Sequence, residues 1–121
     1  MANQTILVAD DSPTEMRMVL SALQNKGYQI ITASDGEEAI EKANRELPRL
    51  AILDIIMPKK NGFQVLRQIR STPETKEMKI ILLSSKNQES DKFWGLKQGA
   101  DEYMTKPFED AALVEMVAKL M

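Results

Sequence analysis

Residues 6–13, ILVADDSP, join a short apolar run to two adjacent carboxylates and then to a proline-led helix start. The run 6–9, with β-branched Ile6 and Val8, predicts a buried strand. Two carboxylates about 5 Å apart repel by roughly 3 kcal/mol at an effective dielectric near 20. A fold that keeps Asp10 and Asp11 together therefore favours a nearby cation. On this dipeptide alone, a solvated Asp11 and a helix-capping Asp10 remain the alternative.

Similar apolar runs recur along the chain, and each is followed by a helical pattern. They cover residues 6–9, 30–33, 50–53, 80–83 and 103–105. After the first run, Ser12 as N-cap, Pro13 and Glu15 predict a helix that begins with a capping box. Five strands alternating with five helices, at a spacing of about 25 residues, are typical of right-handed βαβ units. We predict one doubly wound α/β domain with a parallel sheet over residues 1–121.

Composition excludes several classes of protein. The 16 basic and 18 acidic residues leave a net charge of -2, without the basic block that nucleic-acid binding favours. The chain has no Cys and no His, which excludes disulfides, Cys-based zinc sites and imidazole catalysis. The N-terminus lacks a secretory pattern, and no apolar run approaches the roughly 18 residues of a membrane span. We expect a cytoplasmic protein that binds neither membrane nor nucleic acid.

Polar residues follow most of the predicted strands. They are Asp10, Asp11, Asp54, Ser84, Ser85 and Lys106. In an open parallel sheet, ligands bind beyond the carboxyl ends of the strands, so these side chains are expected to converge. A cluster of carboxylates is the natural site for Mg²⁺. Taken singly, Asp54 and Ser84 are also compatible with ordinary strand ends, whereas Pro107 holds Lys106 out of helical geometry.

The motifs as a set resemble the receiver domain of two-component response regulators, the CheY-like family. The resemblance spans essentially the whole chain, through the DD pair, LDIIMPKKNGF, LLSSK, GADEY and TKPF. It implies a flavodoxin-like (βα)5 sheet with strand order 2-1-3-4-5. Within the family, DDSPTEM and NQESDKFWGLKQGADEYMTKPF are most similar to stand-alone regulators of type IV pilus twitching motility and phototaxis.

The resemblance also implies roles for single residues. Asp54 is the expected phosphoryl acceptor, and Asp10, Asp11, Asp54 and the backbone carbonyl of Ile56 are the expected Mg²⁺ ligands. Ser84 and Lys106 are expected to contact the phosphoryl oxygens, and Ser84 and Tyr103 to form the conformational switch. Ser84 stands where the family more often has Thr, which keeps the hydroxyl. Ile56 and Lys86 occupy positions that tune the loss of the phosphoryl group.

The implied partners are a sensor histidine kinase, or its phosphotransfer domain, and a downstream effector protein, with pilus or motility machinery as the expected system. The absence of His agrees with this, because the donor histidine lies on the partner. A monomer is expected. Trp94, beside Phe93 on the fourth helix, is predicted to belong either to a partner-binding face or to the core.

Most other classes of protein need features that this sequence lacks. A Mg²⁺-dependent phosphatase or phosphotransferase of the haloacid-dehalogenase type needs a second acid where Ile56 stands, and a cap domain. A nucleotide-binding flavodoxin-like domain needs glycine in the first turn, which ADDSPTE lacks. A DNA-binding regulator needs an output domain, for which the chain to Met121 leaves no room. A degenerate receiver that acts by constitutive binding also remains an alternative.

Overall fold

The computed structural model describes residues 3–121 and confirms the predicted alternation of strands and helices. The strands are β1 (Thr5–Ala9), β2 (Gln29–Ala33), β3 (Leu50–Leu53), β4 (Lys79–Ser84) and β5 (Glu102–Thr105). The helices are α1 (Pro13–Leu23), α2 (Gly36–Glu46), α3 (Gly62–Ser71), α4 (Glu89–Lys97) and α5 (Asp110–Leu120). All strand pairs are parallel, in the order β2-β1-β3-β4-β5. The predicted strand order is therefore correct.

The register of the sheet aligns the strand ends that carry the polar residues. Ala9 pairs with Leu53, and Leu53 pairs with Leu82. Asp10 and Asp54 therefore leave neighbouring strands side by side. The strand order reverses between β1 and β3, which is where open α/β sheets bind ligands.

Two apolar clusters sandwich the sheet. Successive strand residues point to opposite faces, so Leu7 and Ala9 join one cluster while Ile6 and Val8 join the other. The first cluster includes buried residues of α2 and α3, and the second includes those of α1 and α5. Burial on both faces is why the central strands are almost uniformly apolar.

The start of α1 follows the predicted pattern with one correction. The Ser12 hydroxyl accepts a hydrogen bond from the Glu15 amide at 3.2 Å. The Glu15 carboxylate does not complete the predicted capping box, because it contacts Lys106 instead. A complete capping box, which was not predicted, lies at the start of α3 between Asn61 and Gln64.

Gly36 allows α2 to approach the β3–α3 loop. A Cβ atom there would lie 1.9 Å from the Lys60 carbonyl oxygen, so no larger residue fits without movement of the backbone. The Gly36 amide also donates to the Pro58 carbonyl oxygen at 3.2 Å. These contacts hold the loop that follows Asp54. The Lys106–Pro107 peptide bond is cis.

Helix α4 presents an apolar outer face. Phe93, Trp94 and Leu96 are all exposed, while Gly95 is its one buried residue. Core packing, one of the two predictions for Trp94, is therefore wrong. Among residues 3–121, no helix combines the length and apolar character needed to cross a bilayer.

Candidate functional site

Three carboxylates meet at the carboxyl ends of β1 and β3. Asp10, Asp11 and Asp54 each offer an oxygen within 4.8 Å of the other two. Asp10 is 4% exposed and Asp54 is 8% exposed, whereas Asp11 faces solvent. The Ser12 amide donates to Asp10 at 2.9 Å and so orients its carboxylate. The possible metal ligands are all carboxylate oxygens, and those of Asp10 and Asp54 are buried. This set fits a hard divalent cation such as Mg²⁺.

Lys106 partly neutralises this cluster. Its Nζ lies 2.8 Å from Asp10 Oδ2, 3.4 Å from Asp54 Oδ2 and 2.7 Å from Glu15 Oε1. The side chain is 9% exposed, and its backbone amide donates to the Ser84 carbonyl oxygen at 2.8 Å. Lys106, which directly follows β5, thus supplies part of the positive charge that the adjacent acids Asp10 and Asp11 favour.

Burial and charge shift the pKa values of this site. Burial raises the pKa of Asp54 above its ordinary value of 3.8; Lys106 opposes the shift and Asp10 adds to it. Burial by itself would lower the pKa of Lys106. Hydrogen bonds to Asp10 and Glu15, with the Asp54 charge, outweigh it and raise the pKa above 10.5. At neutral pH, Lys106 is therefore an ammonium group facing an acidic pocket.

Ser84 and Tyr103 both form hydrogen bonds with the backbone of Lys86. The Lys86 amide donates to Ser84 Oγ at 3.3 Å, and the Tyr103 hydroxyl donates to the Lys86 carbonyl oxygen at 2.7 Å. Ser84 is fully buried at the end of β4, and Tyr103 is half-buried on β5. The loop after β4 therefore connects the two predicted switch residues.

Ile56 lies beside the cluster through its backbone. Its amide donates to Asp54 Oδ1 at 3.4 Å, and its side chain is exposed. The structure thus brings together Asp10, Asp11, Asp54 and Lys106, with Ile56 adjacent.

Glu15 is the member of the site that sequence reasoning missed. Its position in α1 suggested a capping role, and nothing in the sequence indicates that its carboxylate reaches a lysine 91 residues later. Beside this ion pair lies an open cavity of about 290 Å³, whose lining includes Met18, Ser85 and Phe108. Solvent and ligands can therefore approach Lys106 from the α1 side.

Comparison with known proteins agrees with this geometry. Residues 6–118 match the response regulator receiver domain family. The chain is 40% identical to Protein PilH of Pseudomonas aeruginosa, over 93% of both chains. It is 45% identical to the alkaline phosphatase synthesis transcriptional regulatory protein PhoP of Bacillus subtilis, covering 88% of this chain and 43% of that protein.

A solved structure shows the same fold. The chemotaxis response regulator CheY4 of Vibrio cholerae superposes with a TM-score of 0.91 and 30% identity, over 99% of this chain and 100% of that chain. Receiver domains of this kind are phosphoacceptor signalling domains that bind Mg²⁺ at an acidic pocket. This chain therefore belongs to the receiver domains of two-component response regulators.

Proposed function

We propose that the chain, as a single receiver domain over residues 1–121, accepts a phosphoryl group on Asp54 from a phosphohistidine of a sensor kinase or its phosphotransfer domain. The observation that carries the proposal is the Lys106 ammonium, which lies between two buried carboxylates at 2.8 and 3.4 Å. Phosphoryl transfer depends mainly on positioning and on neutralising charge at the transferred oxygens. A buried carboxylate beside a fixed ammonium and an acidic metal pocket supplies both.

In the proposed reaction, an Asp54 carboxylate oxygen attacks phosphorus and the bond from phosphorus to the donor imidazole nitrogen breaks. The electron pair of that bond stays on the imidazole, which takes up a proton, and an aspartyl phosphate forms. Asp10, Asp11, Asp54 and the Ile56 carbonyl would hold Mg²⁺, which when bound offsets charge on the phosphoryl oxygens. Lys106 would donate to a phosphoryl oxygen.

The same contacts suggest how the phosphate becomes a signal. The Ser84 hydroxyl would donate a hydrogen bond to the phosphoryl group. The shift of Ser84 toward the phosphoryl group would disturb the Lys86 backbone, which Tyr103 also contacts. Shifting a two-state equilibrium from 1:99 to 99:1 takes about 5.5 kcal/mol. A few charge-assisted hydrogen bonds of about 1.5 to 3 kcal/mol each are enough.

The biological output is proposed to be control of motility through protein binding. Support comes from PilH, which has 40% identity and is matched over 93% of its length. Several other relatives are longer regulators, of which the chain spans less than half. The proposed partners are a histidine kinase and an effector of the pilus or motility machinery, bound by a monomer.

Intact mass after incubation with acetyl phosphate, with and without Mg²⁺, tests the phosphoacceptor role. The wild type should gain one labile phosphoryl group only with Mg²⁺, and Asp54→Asn should gain none. Asp110→Asn, at an exposed aspartate on α5, is the matched control and should behave as wild type. A folded wild type that gains no phosphoryl group would overturn the proposal and indicate a degenerate receiver.

A further inference from the structure

Lys106 is shared among three carboxylates, and Glu15 makes the shortest of the three contacts. The Nζ atom lies 2.7 Å from Glu15, 2.8 Å from Asp10 and 3.4 Å from Asp54. Nζ donates hydrogen bonds to Asp10 and Asp54, and it forms a salt bridge with Glu15. Asp54, the residue that Lys106 would serve in phosphorylation, has the longest contact. In the unphosphorylated site, Lys106 Nζ therefore lies closer to Glu15 of α1 than to the acceptor Asp54.

The position of Glu15 is set by the start of its helix. The Ser12 hydroxyl caps α1 by accepting from the Glu15 amide, so the backbone of Glu15 is held in the first turn of the helix. Its carboxylate is 42% exposed and lies with Lys106 on the wall of the 290 Å³ cavity. Any movement of Nζ toward a phosphoryl group on Asp54 would stretch or break this ion pair.

We propose that Glu15 is a positioning residue that restrains Lys106 in the unphosphorylated protein and so opposes retention of the phosphoryl group. The inference rests on the proposed function, in which Lys106 contacts the phosphoryl oxygens. The restraint has a second consequence, because an ammonium held by Glu15 competes less for the Asp10 and Asp54 oxygens. Glu15 thereby favours Mg²⁺ binding to the empty site while it weakens the phosphorylated state.

The magnitude is bounded by the exposure of Glu15. Ion pairs with one well-solvated partner change an equilibrium by at most about fivefold, which is about 1 kcal/mol at 1.4 kcal/mol per tenfold. Glu15 therefore adjusts the lifetime and occupancy of the phosphorylated state and is not required for phosphorylation.

Glu15→Gln tests the inference because the amide keeps the size of the side chain and removes its charge. Glu38→Gln is the matched control: Glu38 lines a cavity with Asp10 and Asp11 but pairs with Lys42. Calorimetric titration gives the Mg²⁺ dissociation constant without any phosphodonor. Decay of the acetyl-phosphate-labelled protein, followed by intact mass, gives the phosphoryl half-life.

We expect Glu15→Gln to bind Mg²⁺ two- to fivefold more weakly and to keep its phosphoryl group two- to fivefold longer. Partial unfolding would instead weaken Mg²⁺ binding and shorten the phosphoryl half-life. The opposite directions of the two effects therefore distinguish loss of positioning from partial unfolding. In a crystal structure of the variant, Nζ should also lie closer to Asp54 than 3.4 Å.

Two outcomes would overturn the inference. Wild-type values for Glu15→Gln would show that the contact restrains nothing, and equal shifts in Glu38→Gln would show a general effect of charge. Failure of the proposed function is distinguishable, because the wild type would then take up no phosphoryl group on Asp54. In that case an unchanged Nζ position and unchanged Mg²⁺ affinity in Glu15→Gln would still refute the restraint.

Discussion

Replacing Asp54 by Asn should stabilise the metal-free protein at neutral pH. Asp54 is 8% exposed and within 4.8 Å of the Asp10 and Asp11 oxygens. The substitution keeps the shape of the side chain and removes a buried charge. In the metal-free wild type, the buried Asp54 charge therefore lowers stability, and it is retained because the occupied site uses it to bind ligands.

The distances give the size of the effect. At an effective dielectric of 20, repulsion between carboxylate oxygens no more than 4.8 Å apart is at least about 3 kcal/mol, and attraction to Lys106 at 3.4 Å is about 5 kcal/mol. Asp11 adds a smaller, solvent-screened repulsion, so the pairwise terms nearly cancel. Desolvation of the Asp54 carboxylate then decides whether its charge raises or lowers the free energy of unfolding. We expect Asp54→Asn to raise the free energy of unfolding by about 1 to 3 kcal/mol, or Tm by about 4 to 12 °C.

The gain should depend on pH. Burial, opposed by Lys106 and reinforced by Asp10, raises the pKa of Asp54 above 3.8, so the folded protein binds this proton more tightly than the unfolded chain. The contribution of Asp54 is therefore most favourable below pH 3.8 and is lost as pH rises through the raised native pKa. Urea unfolding of both proteins in EDTA, at pH 7 and near pH 3.5, measures the difference.

The advantage of Asp54→Asn should be full at pH 7 and should shrink on acidification. Glu77→Gln, at an exposed carboxylate in the α3–β4 loop, is the control and should change stability by less than about 0.5 kcal/mol. A variant that is less stable than wild type at pH 7, or a difference that does not vary with pH, would refute this account of the site.

Three further predictions follow from other contacts. Gly36→Ala should cost about 2 kcal/mol or more in urea unfolding, because its Cβ would meet the Lys60 carbonyl oxygen at 1.9 Å; unchanged stability would contradict this. Tyr103→Phe loses the hydrogen bond to Lys86 and should cost no more than about 1.5 kcal/mol by the same assay, with a larger loss pointing to further contacts. Mg²⁺ should raise the Tm of the wild type in proportion to the logarithm of its concentration, and the rise should be smaller in Asp54→Asn.

The fold was predictable because its signals are local. Apolar runs such as residues 50–53 and helix N-caps such as Ser12 are each decided by neighbours in sequence. The convergence of Asp10, Asp54 and Lys106 was also predictable, since parallel strands place their carboxyl ends on one edge. The finer assignment of a receiver domain required the motifs as a set.

Contacts between side chains on different elements were not predictable from the sequence. Glu15 was assigned to a capping box, yet the Ser12 amide that it would accept from donates to Asp10, and the Glu15 carboxylate pairs with the Lys106 ammonium instead. The sequence also left open whether Trp94 on α4 is exposed or buried, and the structure shows that it is exposed. The order and class of the elements came from periodicity and capping, which act over a few residues. The sharing of Lys106 among three acids, and the contact of Ser84 and Tyr103 with one backbone segment, depend on packing between α1, β4 and β5, which no local pattern encodes.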